Sequence, residues 1–290
     1  MSQIWIDGAF KDSSKATVSV FDHGLLYGDG CFEGIRIYNS RIFKLHSHLV
    51  RMYESAAAIR LQPNYSIEDI ESAVRETVKI NDRTDGYIRL VFTRGKGTLG
   101  LNPFLCPTAT TFIIAEKINI YPEEMYDEGM SIIVAKRPRI PAVCLDPKVK
   151  TLNYLNNILA KIEAIDAGVL EALMLDLDGK VGECTGDNIF IIKDGVISTP
   201  YFDSGILNGI TRQFVIDKVA PSLGLTVRER EIELDEVMEA DEVFLTGTAA
   251  EVIGVSKIDD RVIGSGKVGA ITMSLIVEFR KRVAQDAPED

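Results

Sequence analysis

The stretch Tyr27-Gly28-Asp29-Gly30-Cys31-Phe32-Glu33-Gly34-Ile35-Arg36 leads into a hairpin pattern. The turn of this hairpin consists of two polar residues. Residues 34–38 read as a strand, Asn39-Ser40 as the turn, and residues 41–44 as the returning strand. Upstream, Ile4-Trp5-Ile6 followed by Asp7-Gly8 predicts another hairpin start. Two hairpins so close together predict a β-rich beginning to the chain.

Two helices are predicted after these hairpins. The first covers about residues 47–60, where Leu49, Met52, Tyr53 and Ala56 fall on one face at a spacing of three to four. The second begins at Ser66, with an acidic residue three positions later as in a capping box. Strands at 87–93 and 110–115 then complete a smaller α+β domain, predicted over residues 1–115.

Residues 116–129 interrupt the pattern with polar, turn-forming sequence and are interpreted as an interdomain connection. A larger domain is predicted over residues 130–290. Its elements are strands at 131–135, 172–176, 189–192 and 243–246, a hairpin turn at Asp194-Gly195, and helices at 153–167, 211–220 and 268–283. The predicted fold class is therefore mixed α/β, or α+β, in two domains.

Composition narrows the class of protein. The 290 residues include 32 Lys and Arg against 43 Asp and Glu, for a net charge of −11, and 46% are apolar. This balance is typical of a globular protein and excludes disordered, collagen-like and coiled-coil classes. It argues against nucleic acid or an anionic membrane as a partner, because those need clustered basic residues.

Compartment and metal content are predicted from the remaining sequence signals. No apolar run approaches the roughly 18–20 residues of a membrane span, and the N-terminus does not resemble a secretory signal. The four cysteines, Cys31, Cys106, Cys144 and Cys184, lie far apart and are expected to be reduced and buried in a cytoplasmic protein. No metal site is expected, since the three histidines have no partner at ligand spacing and are interpreted as structural.

Two loops could bind an anion. Asn208-Gly209-Ile210-Thr211 stands before an amphipathic helix, where free N–H groups, a glycine and a hydroxyl could form a phosphate cradle. The same residues are also typical of a glycine turn with a threonine N-cap. Residues 246–250, Thr-Gly-Thr-Ala-Ala, also combine a glycine, hydroxyl groups and backbone N–H groups, after an apolar strand. The alternative for this segment is an ordinary exit from a strand into a loop. The residues alone leave both readings open.

Two charged residues are further candidates. Lys150 lies in a short extended segment just before an apolar helix, where desolvation could lower its pKa and make the amine a nucleophile. Glu183 lies among small residues in Gly182-Glu183-Cys184-Thr185-Gly186 and could pair with a buried cation or cap a turn. A solvated lysine and a capping carboxylate remain the alternatives. The sequence lacks a nucleophile elbow, a P-loop and a dinucleotide-binding glycine motif after a strand.

Taken in order, seven strings of the sequence resemble the fold-type IV pyridoxal-phosphate enzymes, and most closely the branched-chain amino acid aminotransferases. They are the residues 27–36 quoted above, His48-Leu49-Val50-Arg51-Met52, Tyr87-Ile88-Arg89, Lys150-Thr151-Leu152-Asn153-Tyr154, Glu183-Cys184-Thr185-Gly186-Asp187-Asn188-Ile189-Phe190, Gly209-Ile210-Thr211-Arg212, and residues 241–251. The resemblance covers nearly the whole chain. It implies the two-domain architecture shared with D-amino-acid aminotransferases, with most of the cofactor site in the larger domain.

The resemblance also implies the cofactor, pyridoxal 5′-phosphate, and the residues that hold it. Lys150 would bind it covalently and later move a proton between Cα and C4′. Glu183 would face the pyridine nitrogen. The other implied cofactor residues are Tyr154 at the phenolic oxygen, Leu207 on one ring face, and Arg51, Ile210, Thr211 and Thr248 at the phosphate.

Substrate residues are implied by the same resemblance. Phe32, Gly34 and Tyr87 match an apolar pocket for Leu, Ile and Val side chains. Arg89 and Tyr27 match the polar rim that takes the second carboxylate of glutamate, with Tyr27 reaching across a dimer interface. The amides of Thr248 and Ala249, together with Tyr87, would receive the α-carboxylate. The implied reaction is transamination between branched-chain L-amino acids and 2-oxoglutarate, giving branched-chain 2-oxo acids and L-glutamate, in a homodimer or larger homo-oligomer.

Related activities remain as alternatives. D-amino-acid aminotransferases bind the α-carboxylate through an Arg and a His, at positions that here resemble Leu99 and Leu101, which disfavours that activity. Aminodeoxychorismate lyase and (R)-amine transaminase are further possibilities on the same scaffold. A non-catalytic relative would be expected to lose Lys150 or Glu183, and both are present. Cys184 departs from the Gly or Ala of many relatives and leaves the surroundings of Glu183 open.

Overall fold

The computed structural model describes residues 2–118, 121–202 and 204–285. Packing divides the chain into two compact units. The first contains residues 2–118 together with Val149–Asn153, and the second contains the described parts of 121–148 and Tyr154–Gln285. These units are defined by packing alone, and the domain limits expected from the sequence pattern stay a prediction.

The described part of the first unit is an antiparallel sheet with one short and two long helices. Its elements are β1 Gln3–Ile6, β2 Ala9–Asp12, α1 His23–Tyr27, β3 Gly30–Tyr38, β4 Arg41–Ile42, α2 Leu45–Ala58, α3 Ile67–Ile80, β5 Gly86–Thr93, a 3₁₀ turn at Pro103–Leu105, and β6 Thr110–Glu116. The strand order is β2-β1-β6-β5-β3-β4. Both predicted hairpins are present, and the two predicted helices pack their buried apolar residues into one core with the sheet.

The two long helices of this unit follow their sequence signals. Ser66 accepts a hydrogen bond from the Asp69 N–H, and the Asp69 carboxylate accepts one from the Ser66 N–H, so the capping box that starts α3 is complete. Helix α2 begins at Leu45, two residues earlier than expected, after Lys44 with φ +52°. Leu49, Met52 and Ala56 are buried along α2, as their spacing predicts.

The second unit contains a nine-stranded mixed sheet. Its elements are α4 Glu124–Glu128, β7 Met130–Val134, α5 Leu155–Asp166, β8 Glu171–Leu175, β9 Val181–Cys184, β10 Asn188–Lys193, β11 Val196–Thr199, α6 Ile210–Phe214, a π-helical turn Val215–Val219, α7 Ala220–Ser222, β12 Val227–Glu229, α8 Leu234–Met238, β13 Glu242–Gly247, β14 Glu251–Ile258, β15 Arg261–Val262 and α9 Ala270–Gln285. The order is β12-β11-β10-β13-β14-β7-β8-β9, with β15 beside β14.

Several features of this unit were not expected from the sequence. Strand β14 lies in the interior of the sheet between β13 and β7, yet the chain there gave no strand prediction. The segment expected to be a connection contains helix α4, whose buried Tyr126 donates a hydrogen bond to the Ala250 carbonyl oxygen at 3.1 Å. Residues 119–120 of that segment lie outside the described residues. Helix α4 was not predicted because its segment is mostly polar, and its buried Tyr126 packs it against the rest of the unit.

The cysteines correct one expectation. All four are free thiols, and Cys31 and Cys184 are buried, but Cys106 is half-buried and Cys144 is exposed. Cys144 lies in the chain between β7 and α5, where the described residues form turns and no regular element covers the side chain. No helix among the described residues is long and apolar enough to cross a membrane.

Candidate active site

Lys150 lies at the centre of a tight turn within the first unit. The Thr151 N–H donates to the Val149 carbonyl oxygen at 2.8 Å, which closes a three-residue turn around the lysine. The Lys150 N–H donates to Ser55 Oγ at 3.1 Å, and the Lys150 carbonyl oxygen accepts from the Phe32 N–H at 3.1 Å. Both main-chain polar groups of the lysine are therefore held by neighbouring elements.

The chain after the lysine is fixed in the same way. The Leu152 N–H donates to the Gly30 carbonyl oxygen at 2.9 Å, and Asn153 Nδ2 donates to the Gly28 carbonyl oxygen at 2.9 Å. A Cβ on Gly28 would lie 2.8 Å from Asn153 Oδ1, and this glycine has φ +70°. The glycine-rich stretch of residues 27–36 thus provides a close surface on which the lysine segment rests.

Phe32 brings two cationic side chains together. The Lys150 Nζ lies 4.6 Å from the centre of the Phe32 ring, and the guanidinium carbon of Arg89 lies 4.5 Å from the same centre. Arg89 is also 5.4 Å from the ring centre of Tyr87. Such cation–π contacts are worth about 0.5–2 kcal/mol each. Four residues expected at the substrate or cofactor site are therefore neighbours in the first unit.

Gly34 has a steric reason to be glycine. A Cβ at this position would lie 1.6 Å from the Tyr87 hydroxyl oxygen and 2.4 Å from its Cζ. Gly34 pairs with Arg89 in the antiparallel ladder between β3 and β5, and Tyr87 pairs with Arg36 two residues along. The tyrosine hydroxyl therefore occupies the space that any other residue at 34 would fill.

Arg51 is held by a buried carboxylate that the sequence did not single out. Glu33 is fully buried, and its two oxygens accept from Arg51 Nε at 2.7 Å and Nη2 at 2.8 Å. His48 Nδ1 lies 2.7 Å from the same carboxylate. Burial raises the pKa of Glu33, but Arg51 and His48 oppose it and hold the pKa well below its usual range. An ionised Glu33 accepts only, so His48 Nδ1 carries the proton.

Tyr27 and the loop with Leu99 and Leu101 are neighbours in the first unit. The Gly100 N–H donates to the Tyr27 hydroxyl at 3.0 Å. The buried His23 contacts the Thr98 carbonyl oxygen through Nε2 at 2.8 Å. Leu99 and Leu101 project from the loop and are 73% and 80% exposed.

Glu183 is the centre of a hydrogen-bonded group in the second unit. Its Oε2 accepts from Asn188 Nδ2 and from the Leu207 N–H, both at 3.0 Å, and its Oε1 accepts from Arg139 Nη2. Arg139 also donates to Asn157 Oδ1 at 2.9 Å. Glu183 is 5% exposed, and the donors to its carboxylate include one charged group, Arg139, and two neutral ones.

Cys184 does not disturb this group chemically. Its side chain is buried, and burial raises the pKa of the thiol well above its ordinary value, with the nearby Glu171 adding to the effect. A thiol with a raised pKa remains protonated and uncharged at neutral pH. Cys184 is therefore a small apolar neighbour of Glu183, in the role of the Gly or Ala of other sequences.

The loop before α6 combines close packing with open backbone donors. Gly209 is the N-cap residue, and a Cβ there would lie 2.2 Å from Asn188 Oδ1. The first turn of α6 has no acidic residue and no side-chain cap among its described residues. Thr211 is buried in that turn, and the buried Arg212 donates to the Pro200 carbonyl oxygen at 2.8 Å and to Glu229 at 2.6 Å. Helix N-termini of this kind suit an anion.

The remaining expected residues lie in loops of the second unit. Tyr154 is the N-cap residue of α5. Thr248 and Ala249 are half-buried in the turn between β13 and β14. A Cβ on the neighbouring Gly247 would lie 1.8 Å from Asp187 Oδ1, so the turn is packed closely on the loop after β9.

The expected site residues are thus divided between the two units. The first unit contains Tyr27, Phe32, Gly34, Arg51, Tyr87, Arg89 and Lys150; the second contains Tyr154, Glu183, Leu207, Ile210, Thr211, Thr248 and Ala249. Sequence reasoning missed the side chains that support them, namely Glu33, His48, Ser55, Arg139, Asn157 and Asn188. For Ser55 a signal existed, since it lies one helical turn after Arg51 and faces the same way.

Comparison with known proteins decides the family. A family model described as amino-transferase class IV matches residues 30–258. The chain belongs to the class IV aminotransferase family. The match includes every residue that the sequence predicted to bind the cofactor, from Arg51 to Thr248.

Individual relatives of this class IV aminotransferase cover nearly all of it. A Methanocaldococcus jannaschii protein provisionally named a branched-chain-amino-acid aminotransferase is 48% identical over 278 residues, 96% of this chain and 95% of its own. A D-alanine aminotransferase of Bacillus licheniformis is 38% identical over 290 residues, 98% of each chain.

Solved structures extend the comparison to the fold. The Escherichia coli branched-chain amino acid aminotransferase has a TM-score of 0.95 at 33% identity, covering 100% of this chain and 97% of its own. The fold of this chain is that of the fold-type IV aminotransferases, as expected from the sequence. Other solved branched-chain aminotransferases that match it hold pyridoxamine 5′-phosphate or a phosphopyridoxyl derivative of L-glutamate.

Proposed function

We propose that this class IV aminotransferase transfers an amino group between branched-chain L-amino acids (Leu, Ile, Val) and 2-oxoglutarate, with pyridoxal 5′-phosphate as cofactor. The products are branched-chain 2-oxo acids and L-glutamate. The observation that carries the proposal is the fixed turn that presents the Lys150 amine beside Phe32, within a set of Phe32, Gly34, Tyr87 and Arg89. Together these residues provide a primary amine (Lys150), an apolar surface (Phe32 and Tyr87) and a cation (Arg89) that could bind a second carboxylate.

The donor set fits the cofactor. The buried Glu183, held by an arginine and two neutral donors, suits a protonated ring nitrogen, and an uncapped helix start without acidic residues suits a phosphate. Arg51, Ile210, Thr211 and Thr248 would hold the phosphate. Tyr154 would bind the phenolic oxygen, and Leu207 would pack on the ring. When bound, pyridoxal phosphate supplies a ring that delocalises the electrons left at Cα after its proton is removed.

The chain's own residues bind the cofactor and move the proton. Lys150 would hold the cofactor through Nζ, and its free amine would accept the Cα proton of the substrate as a base and deliver it to C4′. The hydrogen-bonded turn fixes the backbone from which the Lys150 side chain extends. Glu183 holds a proton at the pyridine nitrogen, and its hydrogen bonds keep the carboxylate oriented.

Substrate choice follows from the apolar set of the first unit. Phe32, Gly34 and Tyr87 form the wall for a branched side chain. Arg89 and Tyr27 bind the second carboxylate when glutamate occupies the same place. The amides at Thr248 and Ala249, with the Tyr87 hydroxyl, bind the α-carboxylate.

The enzyme acts as a homodimer or a larger homo-oligomer, in which Tyr27 serves the site of a partner subunit. Support comes from exposed apolar side chains in α1 and in residues 99–105: Leu25 is 63% exposed, Leu101 80% and Phe104 63%. Tyr27 of α1 and Gly100 of this loop are hydrogen-bonded, and exposed apolar side chains on two neighbouring segments are typical of a protein interface. Four free thiols fit a reducing cytoplasm, and we place the enzyme there.

D-amino acid transamination is the second candidate, favoured by the 38% identity to a D-alanine aminotransferase. Leu99 and Leu101 argue against it, because aliphatic side chains offer no donor to a carboxylate.

The decisive experiment compares amino donors. The purified protein is assayed with 2-oxoglutarate and L-leucine, D-alanine or (R)-1-phenylethylamine, with Lys150→Ala as the inactive control. We expect a visible absorption band that L-leucine shifts. The kcat/KM with L-leucine should exceed that with either other donor by at least about 100-fold, because the carboxylate of D-alanine lacks its binding partners here and the amine has no carboxylate to bind. A higher rate with D-alanine would replace the proposal by the second candidate, and a protein that gains no band with added cofactor would refute both.

A further inference from the structure

Helix α2 carries three polar residues on one face, at positions 48, 51 and 55. His48 and Arg51 contact the buried Glu33, as described above. Ser55 lies one turn beyond Arg51 and is 3% exposed. Its hydroxyl oxygen accepts the Lys150 N–H at 3.1 Å, across 95 residues of sequence. One face of α2 therefore contacts both Glu33 and the main chain of Lys150.

The lysine is held from two sides at once. Strand β3 donates the Phe32 N–H to the Lys150 carbonyl oxygen, and α2 accepts the Lys150 N–H at Ser55. The two bonds fix the peptide groups on either side of the lysine Cα, where the three-residue turn bends the chain. The two bonds therefore fix the direction of the Cα–Cβ bond of Lys150, from which the side chain that carries Nζ extends.

We propose that Ser55 is a positioning residue for Lys150: its hydroxyl oxygen holds the turn in the one conformation that brings Nζ to the cofactor aldehyde. This inference rests on the proposed function. In the step concerned, the Nζ lone pair adds to the aldehyde carbon, a C=N bond forms, and the aldehyde oxygen leaves as water with the two protons of the neutral amine. A displacement of about 1 Å in such a geometry can cost 10²-fold in rate.

Removal of the Ser55 oxygen changes little else. Ser55→Ala keeps the helix and its packing, since alanine has the highest helix propensity. The anchors at Phe32, Gly30 and Gly28 hold the rest of the lysine segment in place. The variant leaves the Lys150 N–H without this acceptor, so the turn can relax and Nζ moves.

The experiment compares two forms of the cofactor on the apoprotein. Pyridoxal phosphate needs Nζ for its covalent bond, whereas pyridoxamine phosphate has no aldehyde and binds through the other contacts alone. Equilibrium dialysis gives Kd for each. We expect Ser55→Ala to raise Kd for pyridoxal phosphate about tenfold, near the loss expected from one buried hydrogen bond, and to leave Kd for pyridoxamine phosphate within about twofold. Borohydride reduction and mass spectrometry of the Lys150 peptide should show slower covalent capture by the same variant.

Two further variants make the result specific. Ser66→Ala is the matched control, because it removes the N-cap hydrogen bond of α3 in the same unit and lowers the stability of the protein without a change at Lys150. It should leave the ratio of the two Kd values at the wild-type value. Ser55→Thr retains a hydroxyl acceptor and should restore that ratio; Ser55→Cys, with a weak acceptor of similar volume, should give an intermediate ratio and replaces the alanine variant if that one does not fold.

The outcomes separate this inference from the proposed function. If Ser55→Ala left the ratio of the two Kd values unchanged, whether or not both forms bound more weakly, the positioning role would be wrong. A wild-type protein that captures no pyridoxal phosphate at Lys150 would instead overturn the proposed function, before any Ser55 variant is examined.

Discussion

Two buried glutamates, one in each unit, each pair with an arginine but differ in their other donors. Glu33 in the first unit is bound by Arg51 and by His48, so both of its oxygens are held by basic side chains. Glu183 in the second unit is bound by Arg139 on one oxygen and by two neutral donors, Asn188 and the Leu207 N–H, on the other.

The difference separates a supporting carboxylate from a reacting one. Glu33 binds Arg51 through both of its oxygens, so this buried carboxylate fixes the arginine and has no oxygen left without a donor. Glu183 contacts Arg139 through Oε1, whereas its Oε2 is oriented by neutral amide donors, Asn188 Nδ2 and the Leu207 N–H. We therefore expect changes at Glu183 to appear in catalysis and changes at Glu33 to appear mainly in stability.

The largest expected effect is that of Glu183→Gln on turnover. The amide keeps the shape of the side chain but no longer holds a proton at the ring nitrogen, so kcat with L-leucine should fall by about 10²–10³-fold, as for the loss of one preorganised electrostatic partner. Steady-state kinetics at saturating cofactor measure this change. If kcat fell no further in Glu183→Gln than in Glu33→Gln, the distinction between the two carboxylates would be wrong.

Glu33→Gln should have the larger effect on folding relative to its effect on kcat. The substitution leaves the mostly buried Arg51 without its counter-ion, and the free energy of unfolding should fall by about 3 kcal/mol, the low end for breaking a buried pair because the amide oxygen can still accept one N–H. Urea denaturation of the apoprotein measures it. Glu71→Gln, which breaks an exposed pair with Arg75 on α3, is the control and should cost less than about 1 kcal/mol. Similar losses from the two variants would contradict the assignment.

His48 should make the stability of the protein depend on pH. Burial lowers the pKa of His48, against the opposing effect of Glu33. The unfolded chain therefore takes up the proton first, and stability should fall as the pH drops below about 6.5 towards the lower pKa of the folded state, by up to about 1.4 kcal/mol per pH unit.

The His48→Asn variant keeps an N–H donor for Glu33 but cannot titrate, so its loss of stability between about pH 6.5 and 5.5 should be smaller. Urea unfolding at several pH values measures the slope. His46→Asn, at an exposed position of the same helix, serves as the comparison and should keep the wild-type slope. An equal slope in all three proteins would show that His48 takes no part in it.

Much of the fold was predictable because its signals are local. The capping box at Ser66, the turn at Asp194-Gly195 and the periodicity of α2 each depend on residues within a few positions of one another, and each appears in the structure. The order of the seven strings also predicted the family correctly. Strand β14 was missed because a strand in the interior of a sheet has no polar alternation to mark it.

The contacts of the supporting side chains could not be predicted for the opposite reason, although helical spacing did place Ser55 on the same face of α2 as Arg51. Ser55 and Lys150 are 95 residues apart, and Arg139 and Glu183 are 44 apart. Nothing local in the sequence indicates such pairs. Glu33 lay within a recognised string but had no role until the structure placed Arg51 and His48 on it. The sequence therefore predicted a set of site residues, whereas the side chains that support them became visible only from tertiary contacts.

The lysine segment has a consequence for the way the protein is made. Residues Val149–Asn153 pack in the first unit although the chain between residue 118 and this segment belongs to the second. During synthesis, the first unit can therefore assemble its sheet and helices early, but its last five residues arrive only after some thirty more have left the ribosome. The entropic cost of closing such a loop grows only slowly with its length, so the intervening residues are a tolerable insertion. The amine that the proposed reaction needs is thus added to the first unit only after the beginning of the second unit has been synthesised.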